Sequence, residues 1–373
     1  MQFNQERVLE RLMEMIRIDS VSYHEGPMTD YLQKYFEDRG YEVYRDQAGA
    51  AIGGDNAGNL LIHIGGDMEG EGICLNAHQD TVEPGLGIEP VFENGILRSR
   101  GNTILAADDK SGIAMMMELL DVLQETKTPH RDLWFLFTIC EENGMHGAKN
   151  FDYDKLPVKN IFALDGAGNL GGMLKSGAGK DALKITFHGK MAHGGIEPEK
   201  GINAIAVAAS AISRVKFGRI DPETTSNIGR IEGGGATNIV TDEVTFTCEV
   251  RSHTQAQIQQ QVDLIVKACQ DAAAEFGATV DIDIDHFCPP HKPDPDGFMY
   301  KSMIRALENE GFQVEYRVSN GSGDANIFSG KGFNCSGIST GMFDVHTTEE
   351  YLDMAVFAKA FNVVWSILTQ NLA

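Results

Sequence analysis

Three apolar runs in this chain each end abruptly in acidic or imidazole side chains. Ile73-Cys74-Leu75-Asn76-Ala77 leads into His78-Gln79-Asp80, residues 133–140 lead into Glu141-Glu142, and Ile161-Phe162-Ala163-Leu164 leads into Asp165. A continuous apolar stretch is what a strand covered on both faces requires. Helical patterns lie between these runs, and strands alternating with helices predict an α/β sheet flanked by helices on both sides. In such sheets ligands collect at the carboxyl ends of the strands, which is where these polar groups fall.

Val8, Leu12, Met15 and Ile16 recur at helical spacing within residues 4–18, with Asn4 as N-cap. Further helices are expected over residues 27–39, ending at Gly40, over 110–123, and over 348–368 at the end. Near Lys180 the pattern changes. Residues 182–189, 244–250 and 279–286 read as strands, separated by helices over 201–215 and 254–276. This predicts a smaller inserted α+β unit over residues 180–292, closed by a proline-dense segment at 288–295. Residues 1–179 and 293–373 then form one discontinuous domain around a mixed sheet.

With 373 residues the chain can bury two cores. Its 31 basic against 54 acidic residues give a net charge of -23. Nucleic acid and anionic membranes need basic patches, so neither is an expected partner. The six cysteines are scattered with no Cys-x-x-Cys pair. That spacing argues against a disulfide framework or a thiolate zinc site, and Cys74 and Cys140, in apolar strand-like runs, read as buried thiols. Met1-Gln2-Phe3-Asn4-Gln5-Glu6 lacks a signal peptide's apolar run, and no stretch has the length to span a bilayer. A cytoplasmic location is expected.

His78 and Asp80, two apart, lie on one face of a strand end. A histidine ligand needs its second ring nitrogen held by a carboxylate or carbonyl, a role Asp80 fits. Asp108 and Asp109 precede the helix that starts near Lys110. As helix-terminal charges alone they would contribute roughly 0.3–1 kcal/mol. His193 stands in Ala192-His193-Gly194-Gly195 and His346 in Val345-His346-Thr347; the other eight histidines read as surface or packing residues. Asp108, Glu142 and Asp165 carry three negative charges against neutral His78 and His346. A single dication would leave this set anionic in a partly dry site, which is costly. Two dications and one hydroxide bring it to neutrality. Ion pairs roughly 3.5–4 Å apart are a common clamp for hydrolysis.

In order and content these motifs resemble the dinuclear zinc metallopeptidase family that includes peptidase T, succinyl-diaminopimelate desuccinylase and aminoacylase. The resemblance covers nearly the whole chain. It implies that His78 and Asp165 bind one Zn2+, that Glu142 and His346 bind the other, and that Asp108 bridges them, with Co2+ or Mn2+ able to substitute. It implies that Asp80 orients His78, that Glu141 is the general base and that the Asp108-Asp109 peptide is cis. The insert becomes a lid and dimerisation domain of a homodimer, its His193 stabilising the oxyanion in a second subunit. The long helix over 254–276 and an edge strand are the expected dimer contacts. Gly234-Gly235-Ala236-Thr237-Asn238, Glu249-Val250-Arg251-Ser252 and Gly321-Ser322-Gly323-Asp324 resemble substrate-contacting motifs. They make Asn238, Arg251 and Gly323 expected substrate contacts. The third departs from the more frequent Gly-Gly-Ser-Asp order, so Ser322 takes no role. The lid motifs and Val345-His346-Thr347-Thr348-Glu349-Glu350 resemble the peptidase T branch most. That implies release of the N-terminal residue of short peptides such as tripeptides. The alternative is an amidohydrolase acting on N-acyl amino acids or dipeptides with the same site.

Overall fold

The computed structural model describes residues 3–370. The chain divides into two compact units, one taking in the chain up to Lys175, Pro293–Val318 and everything from Gly323 onward, the other Ser176–Lys292 and Ser319–Ser322.

The first unit is built on a nine-stranded sheet. From edge to edge its strands are Val43–Arg45, Leu60–Ile64, Leu133–Thr138, Ile73–His78, Asn160–Ala167, Asn334–Phe343, Tyr351–Asp353, Ile96–Ser99 and Pro90–Glu93. The four central strands, Leu133–Thr138 to Asn334–Phe343, run parallel, and antiparallel pairs close both sides. Parallel alignment brings four carboxyl ends to one edge. There the chain continues into His78, Glu141 and Glu142, Asp165, and His346.

Helix Ala107–Thr126 packs across these strands and is buried from Ala107 to Leu123. Asp108 and Asp109, at its start, have non-helical backbone angles, so regular helix begins at Lys110. Helix Gln5–Ile16 lies against it, burying Val8, Leu12, Met15 and Ile16 as their spacing predicts, and Asn4 caps it through the Arg7 amide. Arg7 donates to the fully buried Glu118 at 2.7 and 2.8 Å. The last helix, Met354–Thr369, starts later than the expected 348. Tyr351–Asp353 pairs as a strand with Ile96–Ser99, and the Asp353 carboxylate accepts from the Ala355 and Val356 amides. An N-cap carboxylate fixes where a helix begins.

The second unit is a five-stranded antiparallel sheet in the order Gly218–Arg219, Thr225–Gly233, Glu243–Ser252, Gly179–His188, Thr279–Cys288. Helices Ala204–Ser213 and Gln255–Phe276 pack on it and on each other. Leu183, Ile185 and Phe187 alternate with polar neighbours, as do Val244, Phe246, Cys248 and Val250, and all are buried. The sequence pattern misses two strands, Gly218–Arg219 and Thr225–Gly233. The second is exposed or half-exposed along most of its length and carries Gly229 in its middle. It therefore lacks the period-two burial that marks a half-buried strand.

Candidate metal centre

His78 ends a strand buried along its whole length. Its Nδ1 lies 2.9 Å from the Asp80 carbonyl oxygen and 3.3 Å from Asp80 Oδ1. That fixes the ring and leaves Nε2 facing Asp108 Oδ1 at 3.1 Å and Asp165 Oδ1 at 3.9 Å. His346 Nε2 lies 3.1 Å from Asp108 Oδ2 and 2.9 Å from Glu142 Oε1. Two sets of donor atoms result, His78 with Asp108 and Asp165, and Asp108 with Glu142 and His346, each within 4.8 Å of one another. They share Asp108, which turns one oxygen to each. His78, Glu141 and Glu142 form a third set.

The loops that carry these groups turn sharply. Ala106, Cys140 and His346 adopt φ of 66°, 49° and 64°. Left-handed backbone at a non-glycine residue costs of order 1–3 kcal/mol and persists only where the surroundings enforce it. Buried carboxylates brace two of the three turns. Glu25 Oε1 accepts from the Cys140 amide at 2.8 Å. Asp80 accepts from the Glu141 and Glu142 amides at 2.9 and 3.2 Å and from Ser22 Oγ at 2.7 Å. Glu350 accepts from the amides of Leu105, Ala106 and Asp108. The Asp108-Asp109 peptide is cis. Asp109 stands outside the three donor sets and joins the helix start to the His78 strand, accepting from the amides of Gly112 and His78. Gly112 leaves the room this needs, since a Cβ there would lie 2.5 Å from Asp109 Oδ1.

The electrostatics call for added positive charge. Burial and the Asp165 carboxylate push Glu141 well above the ordinary carboxylate range. Burial and Asp108 do the same to Asp165. At Asp108 burial is outweighed by hydrogen bonds to His346 and His78, which hold it low. Bonds to Asp108 and Glu142 push His346 up to about 10. Among the described residues, every ion pair of Asp108, Asp165 and Glu142 is with a histidine. Carboxylates and imidazoles converging in this excess, with no lysine or arginine to neutralise them, suit divalent cations.

Gly323 lies against the centre. A Cβ at that position would sit 3.0 Å from Glu141 Oε1 and 3.6 Å from Asp165 Oδ2. The remaining expected site residues belong to the second unit. His193 bridges Ile239 in antiparallel fashion, and the Gly194 amide donates to the Asn238 carbonyl at 2.7 Å, so His193 and Asn238 stand side by side, both exposed. Arg251 donates to the Glu249 carboxylate at 2.8 and 3.2 Å and to the Asn320 carbonyl at 3.0 Å. Sequence reasoning passes over Glu25, Glu350 and Asp324. Asp324 is buried, and burial pushes its pKa up to about 7. Its place in the Gly321-Ser322-Gly323-Asp324 motif was the available signal.

The family profile of the peptidase dimerisation domain, M20_dimer, matches residues 178–277. That of peptidase family M28 matches residues 59–193, the segment that carries His78, Asp108, Glu141, Glu142 and Asp165. Neither spans half the chain, so similarity along the full length decides between them. The aminopeptidase PepT of Bacillus cereus ATCC 10987 is 37% identical with a TM-score of 0.92, over 98% of both chains. The chain belongs to the M20 peptidase family. Within that family it is also similar to a tripeptidase of Staphylococcus aureus, at 31% identity and a TM-score of 0.93 over 99% of both chains. The uncharacterized protein YqjE of Bacillus subtilis is 36% identical over 98% of this M20 chain and 99% of its own length.

Proposed function

We propose that the chain is a metal-dependent aminopeptidase that releases the N-terminal residue of short peptides, tripeptides foremost. One observation carries the reading: two donor sets share Asp108, beside a Glu141 that belongs to neither. The similarity to an aminopeptidase and a tripeptidase along the full length supports the substrate class. His78 and Asp165 would hold one ion, Glu142 and His346 the other, and Asp108 both, with Zn2+ favoured by the ligand types and Co2+ or Mn2+ able to replace it.

Bound there, the ions would supply Lewis acidity, lowering the pKa of a water and polarising the peptide carbonyl. Asp80 holds the His78 ring in one orientation. Glu141 takes the proton of the attacking water and passes it to the leaving amine. It can differ in role from Glu142 because successive side chains on an extended segment point apart. Gly323 leaves space at the Glu141 carboxylate for a substrate backbone. His193, supplied by the lid of a second subunit, donates to the developing oxyanion. Asn238 and Arg251 grip the substrate's carbonyl or carboxylate, Arg251 with its planar fork. The match to a dimerisation domain supports a homodimer built through the lid. Among the described residues no helix is long and apolar enough to cross a membrane, and the six buried thiols suit a reducing compartment such as the cytoplasm.

The test is a product assay of metal-loaded protein on a tripeptide panel beside acetyl amino acids and dipeptides. Release of the first residue from tripeptides is expected. Cleavage confined to the acetylated compounds would replace the aminopeptidase by the amidohydrolase.

A further inference from the structure

Glu350 is 2% exposed, and among the described residues no cationic side chain forms an ion pair with its carboxylate, although the buried Lys110 interacts with it electrostatically. Oε2 accepts from the Leu105 amide at 2.7 Å and the Ala106 amide at 2.9 Å, and Oε1 accepts from the Asp108 amide at 3.0 Å. Three backbone donors on one buried carboxylate form a clamp, and charge-assisted bonds of this kind are about twice as strong as neutral ones. The clamp grips the left-handed turn at Ala106 and the backbone of Asp108 itself. At its other end Glu350 belongs to the tight turn that carries His346. The Glu350 amide donates to the Thr347 carbonyl at 3.2 Å, Thr347 Oγ1 donates to the Asp344 carbonyl at 2.6 Å, and Arg98 donates to the Glu349 carbonyl at 3.2 Å. The segment from Asp344 to Glu350 is thereby fixed as one piece.

We infer that Glu350 is a positioning residue of the metal centre: it locks the Asp108 loop to the His346 turn, so that the shared carboxylate and the imidazole from the far end of the chain meet at one fixed separation. This rests on the proposed function, because it concerns how the same donor atoms are held. The Glu350 carboxylate is bonded to backbone amides and not to the donor atoms, so it acts through the backbone of Asp108.

The test is Glu350→Gln in the full chain, with Mn2+ binding followed by calorimetry on metal-free protein. A glutamine offers one oxygen and one NH2 group. Whichever way it turns, one side of the clamp sets a donor against a backbone N–H. The variant is expected to keep the circular dichroism of the metal-free protein and to bind Mn2+ about 10–100-fold more weakly. It should lower kcat and leave KM near wild type. Glu350→Asp, which keeps both acceptor oxygens on a shorter stem, should fall between the two, and it carries the test if the glutamine variant does not fold. Wild-type Mn2+ affinity in Glu350→Gln, or in Glu350→Asp where that stands alone, overturns the inference and leaves the aminopeptidase reading intact. A wild-type protein that takes up no divalent ion overturns both.

Discussion

Glu141 and Glu142 are adjacent, and their surroundings separate them. Glu142 lies 2.9 Å from the His346 ring. Burial and the neighbouring Asp165 raise the proton affinity of Glu141, which is what a proton carrier needs. Glu141→Gln should keep fold and metal content and lose turnover by at least a hundredfold, measured by steady-state kinetics beside metal analysis. Near-normal turnover would remove Glu141 as the base. Gly323→Ala tests the same carboxylate from the other side, since the added methyl would lie 3.0 Å from Glu141 Oε1. A misplacement of about 1 Å in a catalytic group can cost a hundredfold. The variant should therefore show a kcat lowered by roughly tenfold to a hundredfold with an unchanged melting temperature. His78, Glu141, Glu142 and Asp165 are legible in the sequence because each follows an apolar run, whereas Asp108 and His346 stand out through the family resemblance. Glu25 and Glu350 are not legible, because their partners are backbone amides. Nothing in a sequence marks a carboxylate that will accept from an amide 242 residues away.

Elements whose burial follows one period are recovered almost to the residue. Helix Gln5–Ile16 is an example, with every predicted core position buried. Thr225–Gly233 and Gly218–Arg219 escape because a largely exposed strand leaves no pattern. The late start of the final helix escapes for another reason: residues 351–353 pair with Ile96–Ser99, a tertiary contact that overrides local helical preference. The packing of helix Gln5–Ile16 on Ala107–Thr126 makes a testable case at this scale. Arg7 is the partner of Glu118, whose side chain is wholly buried. Removing one member of a buried ion pair strands the other, at a cost of about 3 kcal/mol. Arg7→Ala should therefore lower the stability of the first unit by about that amount in urea unfolding. The double variant Arg7→Ala with Glu118→Leu should recover much of the loss.

For the whole molecule, the excess of carboxylates ties folding to metal. A chelator should abolish hydrolysis and lower the melting temperature. Restoring metal to a thousandfold above its Kd should add about 4 kcal/mol to the folded state. The bonds that push His346 up to about 10 also set the sign of the pH effect. Metal-free protein holds a proton there, and an ion can take the imidazole only when that proton leaves. Affinity should therefore rise with pH between 6 and 8. Calorimetry in two buffers of different ionisation heat should show protons released on binding, and affinity flat across that range would contradict the assignment of His346.

The inserted unit lies between Glu142 and His346, which are 204 positions apart, and between Asp108 and Glu350, which are 242 apart. A ribosome finishes His78, Asp108, Glu141, Glu142 and Asp165 long before it reaches the residues that complete the second donor set and brace the first. A chain still being synthesised thus carries a crowd of carboxylates without the imidazole that closes it. Contacts so distant in sequence form late. A nascent or truncated polypeptide that stops short of His346 is therefore expected to be hydrolytically silent.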